Sequence, residues 1–72
     1  MATHRLRADY RTVRVPYTFG HMTMFDAAIR LGVEIVWAEH RPDDKLCATS
    51  GAAKRRARKV LAQVEAWLGE VA

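Results

Sequence analysis

From Thr12 to Phe19 the chain alternates Val13, Val15, Tyr17 and Phe19 with Thr12, Arg14, Pro16 and Thr18. A period of two is that of a strand with one buried face, so a strand is predicted here. Pro16 cannot donate to a ladder, which assigns this strand to a sheet edge or ends it early. Upstream, Leu6, Ala8 and Tyr10 alternate in the opposite parity. If both runs are strands, a turn or bulge near Asp9–Arg11 must separate them, and residues 1–11 otherwise read as a basic N-terminal arm.

Gly20-His21-Met22 breaks the alternation, and Thr23 resembles an N-cap with an acidic third position, Asp26. Met24, Phe25, Ala28 and Ile29 then fall at helical spacing, so a short helix from about Thr23 to Leu31 is expected, closed by Gly32 in a left-handed conformation. Val33 to His40 reads as a central strand, with Val33, Ile35 and Trp37 on one face and Val36 and Ala38 on the other. Arg41-Pro42-Asp43-Asp44 is turn chemistry, and Lys45–Thr49 is expected to return as a short strand that completes a hairpin. From Ala52 to Val71 the positions Ala53, Ala57, Val60, Leu61, Val64, Trp67, Leu68 and Val71 form one apolar stripe at three-and-four spacing. The expected architecture is α+β, in the order β-α-β-β-α. Its amphipathic C-terminal helix packs Val60, Leu61, Val64, Trp67 and Leu68 on a small sheet containing Val33–Ala38.

At 72 residues the chain has room for one domain, residues 1–72. Chains of this size bury only about 60% of their unfolded surface. A second copy of the chain is one way to supply the missing burial, so a homodimer is carried among the expected partners. The one cysteine, Cys47, has no Cys or His near it at zinc-ligand spacing, which excludes an internal disulfide or a structural zinc framework. No apolar run approaches the ~20 residues of a membrane span, and Met1–Arg7 lacks the apolar stretch of a secretory signal. A cytoplasmic protein with no membrane partner is expected. The Ala- and Arg-rich composition fits a GC-rich bacterial or phage genome.

The net charge of +4 is unevenly spread. Arg5, Arg7, Arg11 and Arg14 face a single acid, Asp9, in the first 22 residues. Residues 23–49 are net acidic, and the last 23 carry Lys54, Arg55, Arg56, Arg58 and Lys59 against Glu65 and Glu70. Five cations at the start of a helix oppose its dipole and repel one another at i,i+3 and i,i+4. Either acids such as Asp43 and Asp44 fold back onto them, or they are kept because they bind phosphate. With Ala53, Ala57, Val60, Leu61 and Val64 on the buried side, Lys54, Arg55, Arg58 and Lys59 project outward or snorkel along the edges. They make a patch about 8 Å long at 1.5 Å per residue.

The run Lys54-Arg55-Arg56-Ala57-Arg58, followed by Ala62, resembles the last helix of double-stranded RNA-binding domains. There two cations, an alanine and another cation open a helix after a hairpin. His21 and Phe25, four apart, resemble another part of that pattern. The likeness covers under a third of the chain, and the first 20 residues show no amphipathic helix such as that family has. Asp26–Val33 is similar to the first helix and turn of a helix-turn-helix module. Glu34–Glu39, however, is apolar and acidic where a recognition helix carries polar and basic residues, so a short core helix is the preferred reading.

His4, His21 and His40 stand far apart, and none lies beside a nucleophile or carboxylate at a catalytic spacing. Glu39-His40 with Asp43-Asp44 is the one local acid and imidazole cluster, and a turn between strands commonly carries such residues. There is no phosphate-binding glycine loop, nucleophile elbow or cofactor fingerprint. Cys47, Trp37 and Trp67 read as core residues. The expectation is a non-catalytic module, without cofactor or metal, that contacts nucleic acid through Lys54, Arg55, Arg56, Arg58 and Lys59, helped by Arg5, Arg7, Arg11 and Arg14. The alternative is a small phage or mobile-element protein that docks on an acidic protein surface and inhibits or adjusts a larger machine.

Overall fold

A computed structural model describes residues 5–71 of the chain, with side chains through Gly69. Three antiparallel strands, β1 (Leu6–Tyr17), β2 (Gly20–Leu31) and β3 (Glu34–Ala38), form one sheet in the order β1-β2-β3. A 3-10 turn (Asp43–Lys45) follows, and then the helix α1 (Ser50–Val71). The α+β class holds, but the order is β-β-β-α among the described residues.

The expected helix at Thr23–Leu31 is strand β2. Phe25, Ala27, Ile29 and Leu31 lie on the face that carries Tyr10, against which Phe25 packs edge-on at 5.4 Å and 78°. Met24, Asp26, Ala28 and Arg30 occupy the other face. Alanines at 27 and 28 made the segment compatible with a helix, but β2 is the central strand with partners on both sides, and tertiary pairing overrides so weak a propensity. Thr23 is therefore no helix cap, and Gly32 (φ 64°) is the first residue of a two-residue turn between β2 and β3. That position favours glycine because it requires the left-handed region.

β1 runs unbroken from Leu6, so residues 6–11 are strand and not arm, and residues 1–4 lie outside the described residues. No turn separates the two parities of apolar residues. Leu6, Ala8 and Tyr10 share the face covered by α1, while Val13, Val15 and Tyr17 lie on the opposite face. The two-residue turn Thr18–Phe19 joins β1 to β2. Beyond about residue 12 the β1–β2 hairpin projects as an arm, since β3 pairs only with Ala28–Leu31 and Cys47 bridges β2 at Phe25. The molecule is correspondingly elongated, 50 × 26 × 16 Å.

β3 begins at Glu34, with Val33 in the turn and 89% exposed. Its pairing shifts between Ile29↔Trp37 and Arg30↔Ile35, leaving Val36 as the extra residue of a bulge. Ile35 and Trp37 therefore face opposite sides of the sheet, not one side as simple alternation predicted. After His40 the chain leaves the sheet and returns at Cys47 to exchange backbone hydrogen bonds with Phe25 (2.8 and 2.9 Å). The return segment thus pairs with β2 and makes no hairpin with β3.

α1 packs chiefly on β1 and β2. Thr49 caps it, its Oγ1 accepting the Ala52 amide at 3.1 Å. Ala53 and Ala57 on the helix and Ala27 on the sheet are fully buried. Small side chains in both layers let the helix approach the strands closely. Val60, Leu61 and Val64 are half-buried, whereas Trp67 (60%) and Leu68 (44%) are exposed. The expected core role of Trp67 is overturned for that reason, and the side chain of Val71 lies outside the described residues.

Candidate nucleic-acid interface

α1 starts at Ser50, two residues earlier than its apolar stripe implied, so the basic run occupies its second and third turns. Dipole effects fall off within the first turn, which removes much of the expected penalty. Two of the five cations are engaged. The Nζ of Lys54 lies 5.5 Å from the centre of the Tyr10 ring, within cation–π range. Arg56 clasps Glu39, its Nε donating to both carboxylate oxygens (2.6 and 2.8 Å) and its Nη2 to Oε1. These bonds hold the Arg56 guanidinium above its ordinary pKa. Glu39, with Arg41 also at 3.5 Å, provides the acidic return expected of Asp43 and Asp44, neither of which forms an ion pair among the described residues.

Arg55, Arg58 and Lys59 are exposed and make no ion pair among the described residues. Their i, i+3, i+4 spacing sets them on one outward stripe of α1. The N-terminal arginines do not join them in one patch. Arg14 lies on the helix-side face of the projecting arm, in register with Thr23 and adjacent to His21. Arg7 and Arg11 lie on the opposite face of the sheet, and Arg5 lines a groove with Leu6 and Glu65 near the far end of the helix.

Compared with protein-family models, curated proteins and solved structures, the chain shows no match.

The face of the sheet away from α1 carries a network whose charged members are mostly absent from the expected site. Asp26, 1% exposed, accepts from Arg11 Nε (2.9 Å) and from the His40 backbone amide (2.8 Å) through Oδ2. Its Oδ1 has no hydrogen-bond partner. His40 takes a left-handed backbone (φ 56°) that turns the chain toward Asp26, and its Nδ1 lies 3.1 Å from Arg11 Nη2. Asp9 accepts from Arg30 Nε at 2.6 Å, and Arg30 Nη1 also donates to the Val33 carbonyl at 2.9 Å, clamping the β2–β3 turn. Burial pushes the Asp9 carboxyl up, but the Tyr10 amide, Arg30 and Lys54 together outweigh it and hold the pKa below the ordinary value. Arg7 completes an open groove of about 510 Å³ beside these pairs.

Arg11 and Asp26 sit directly opposite in the β1–β2 register, and Asp9 and Arg30 diagonally. The complementarity of these charges was readable in the sequence only to a reader who already treated Asp26–Arg30 as strand. Among the described residues no group of three or more His, Cys, Asp or Glu is arranged to hold a metal ion, and no helix is long and apolar enough to cross a membrane.

Proposed function

We propose that the chain is a non-catalytic module that contacts the phosphate backbone of nucleic acid through Arg55, Arg58 and Lys59, with Arg14 extending the contact along the same side. The observation that supports this reading is the division of labour within the basic run. Lys54 and Arg56 are consumed by Tyr10 and Glu39, while the other three are presented outward on one helix stripe without counter-charges among the described residues. Such a stripe meets phosphates without reading base sequence. Arg5, Arg7 and Arg11 are dispersed or paired and contribute less.

The test is anisotropy titration of labelled 20-base-pair DNA and RNA duplexes between 50 and 200 mM salt. Three neutralised phosphates give a slope of about −2.7 in log K against log salt, a fall of roughly 40-fold over that range. Arg55→Glu with Arg58→Glu is expected to abolish most of the binding and flatten the slope. Absence of binding to either duplex at 50 mM salt, or indifference to the charge reversal, overturns the reading.

A second reading, a small interaction protein that adjusts a larger assembly, is favoured by one observation. The projecting arm exposes Tyr17 (52%), Phe19 (90%) and Met22 (47%), more apolar surface than phosphate contact needs.

A further inference from the structure

The arm is amphipathic in a sense opposite to the body from which it projects. In the body, the apolar positions of β1 and β2 face α1: Leu6, Ala8 and Tyr10 with Ala27, Ile29 and Leu31. Past Thr12 and Phe25, where the arm leaves the body, both strands switch parity together. Val13 pairs with Met24 and Val15 with Met22, and Tyr17 extends the row, all on the face away from α1. The helix-side face of the arm carries Arg14, Pro16, His21 and Thr23. Along β1, apolar residues thus occupy the uncovered face only where no helix covers the other, since in the body that face carries Arg7, Asp9 and Arg11. A solvated arm has no need of such a reversal, whereas an arm packed face to face requires it.

The single chain exposes more surface than a compact monomer of its mass; on the arm face Met22 and Tyr17 are exposed, and Val13, Val15 and Met24 half-buried. Its buried apolar residues are Ala27, Ala28, Ile29, Leu46, Ala53 and Ala57, four of them alanines. The accessible surface is 5485 Å², against about 4,500 Å² for a compact monomer of 8.2 kDa. The excess of roughly 950 Å² is close to the ~800 Å² that each partner contributes to a stable interface. The radius of gyration, 14.1 Å, likewise exceeds the ~11 Å of a compact chain of this length.

Charge limits where a second copy can dock. A chain of net charge +4 repels its own copy over most of its surface. The apolar arm face carries no ionisable cation or carboxylate between residues 13 and 24, since Arg14 and His21 point the other way. The next charged position inward, Arg11, is already paired with Asp26. Edge-to-edge pairing along β1 is disfavoured because that strand contains Pro16, which lacks a donor, and Arg14. We infer that two copies of this chain form a two-fold dimer by stacking the Val13–Val15–Met22–Met24 faces of their arms. The basic stripes of the two α1 helices are left on the outside. This inference does not depend on the nucleic-acid reading.

Sedimentation equilibrium of the full chain from 5 to 200 μM is the primary test. The mass is expected to rise from 8.2 kDa toward twice that value. Val15→Asp and Met22→Asp are each expected to weaken association at least tenfold with the far-UV circular dichroism of the parent. Trp67→Ser, at the opposite apolar end, leaves the dimer intact. As a readout that survives any loss of folding in the aspartate variants, Val15→Cys and Thr23→Cys are compared in a Cys47→Ser background under mild oxidation. Val15→Cys is expected to cross-link at least tenfold faster than Thr23→Cys, which lies on the back of the arm. A monomer at all concentrations overturns the inference. So does association lost in Trp67→Ser but kept in the arm variants, or equal cross-linking from both cysteines.

Discussion

Asp26 concentrates more consequence than any other side chain of the sheet, and its replacement by alanine is the sharpest test of the packing described above. The substitution removes one carboxylate oxygen that accepts two hydrogen bonds, from Arg11 Nε at 2.9 Å and from the His40 amide at 2.8 Å. It strands a guanidinium only 29% exposed and an amide held in a left-handed backbone. Breaking one side of a buried ion pair costs about 3–5 kcal/mol. Because Arg11 keeps partial access to water and Asp26 Oδ1 is already unpartnered, the lower end, about 3 kcal/mol, is expected. A 72-residue chain has roughly 4–11 kcal/mol of total stability, so the variant sits near the edge of folding. Arg11→Met leaves the carboxylate buried with only the His40 amide and is expected to cost about as much. The double variant Asp26→Leu with Arg11→Met removes both charges and fills the space, and should recover most of the loss, giving a coupling of at least 2 kcal/mol. The assay is urea unfolding followed by circular dichroism at pH 7 and one protein concentration. At about 1 kcal/mol/M the single variants shift the midpoint by roughly 3 M. Single effects below 1 kcal/mol, or strict additivity in the double variant, would refute the argument that this pair is a coupled buried unit.

Two further outcomes follow from the same geometry. Ala57→Leu places extra methylenes between α1 and the sheet at a fully buried position and is expected to lose about 1–3 kcal/mol by thermal melting, whereas Ala62→Leu, on the exposed side of the same helix, changes stability by less than about 0.5 kcal/mol. The lowered pKa of Asp9 contributes stability that is fully present above its unfolded value near 4 and is lost as pH falls through the lower folded value; unfolding between pH 5 and 2 should therefore be less steep in Asp9→Asn, and an unchanged acid profile would count against the Arg30 pairing.

Elements with strong local signals were legible in the chain. The three-and-four spacing of Ala53, Ala57, Val60, Leu61 and Val64 specifies α1 and its inner face without reference to anything else, because a helix closes its own hydrogen bonds. The alternation around Val13–Tyr17 specifies a strand, and Pro16 its place at the sheet edge, where β1 lies. The same reasoning singled out the basic run, and within it the structure leaves Arg55, Arg58 and Lys59 presented outward.

What the sequence by itself left undecided were the features that depend on a neighbour. Asp26–Leu31 is compatible with a helix or a strand taken alone, and only pairing with β1 on one side and β3 on the other selects the strand. The reversal of apolar parity after Tyr10 looked like a break in the chain, since a single sheet face is ordinarily buried along a whole strand. It is instead one unbroken strand whose helix cover ends partway along. The bulge at Val36, the return of Cys47 to Phe25 and the capture of Arg56 by Glu39 are likewise contacts between segments distant in sequence. Periodicity records which side of an element is apolar, but what covers that side is decided by how far each element extends over the next.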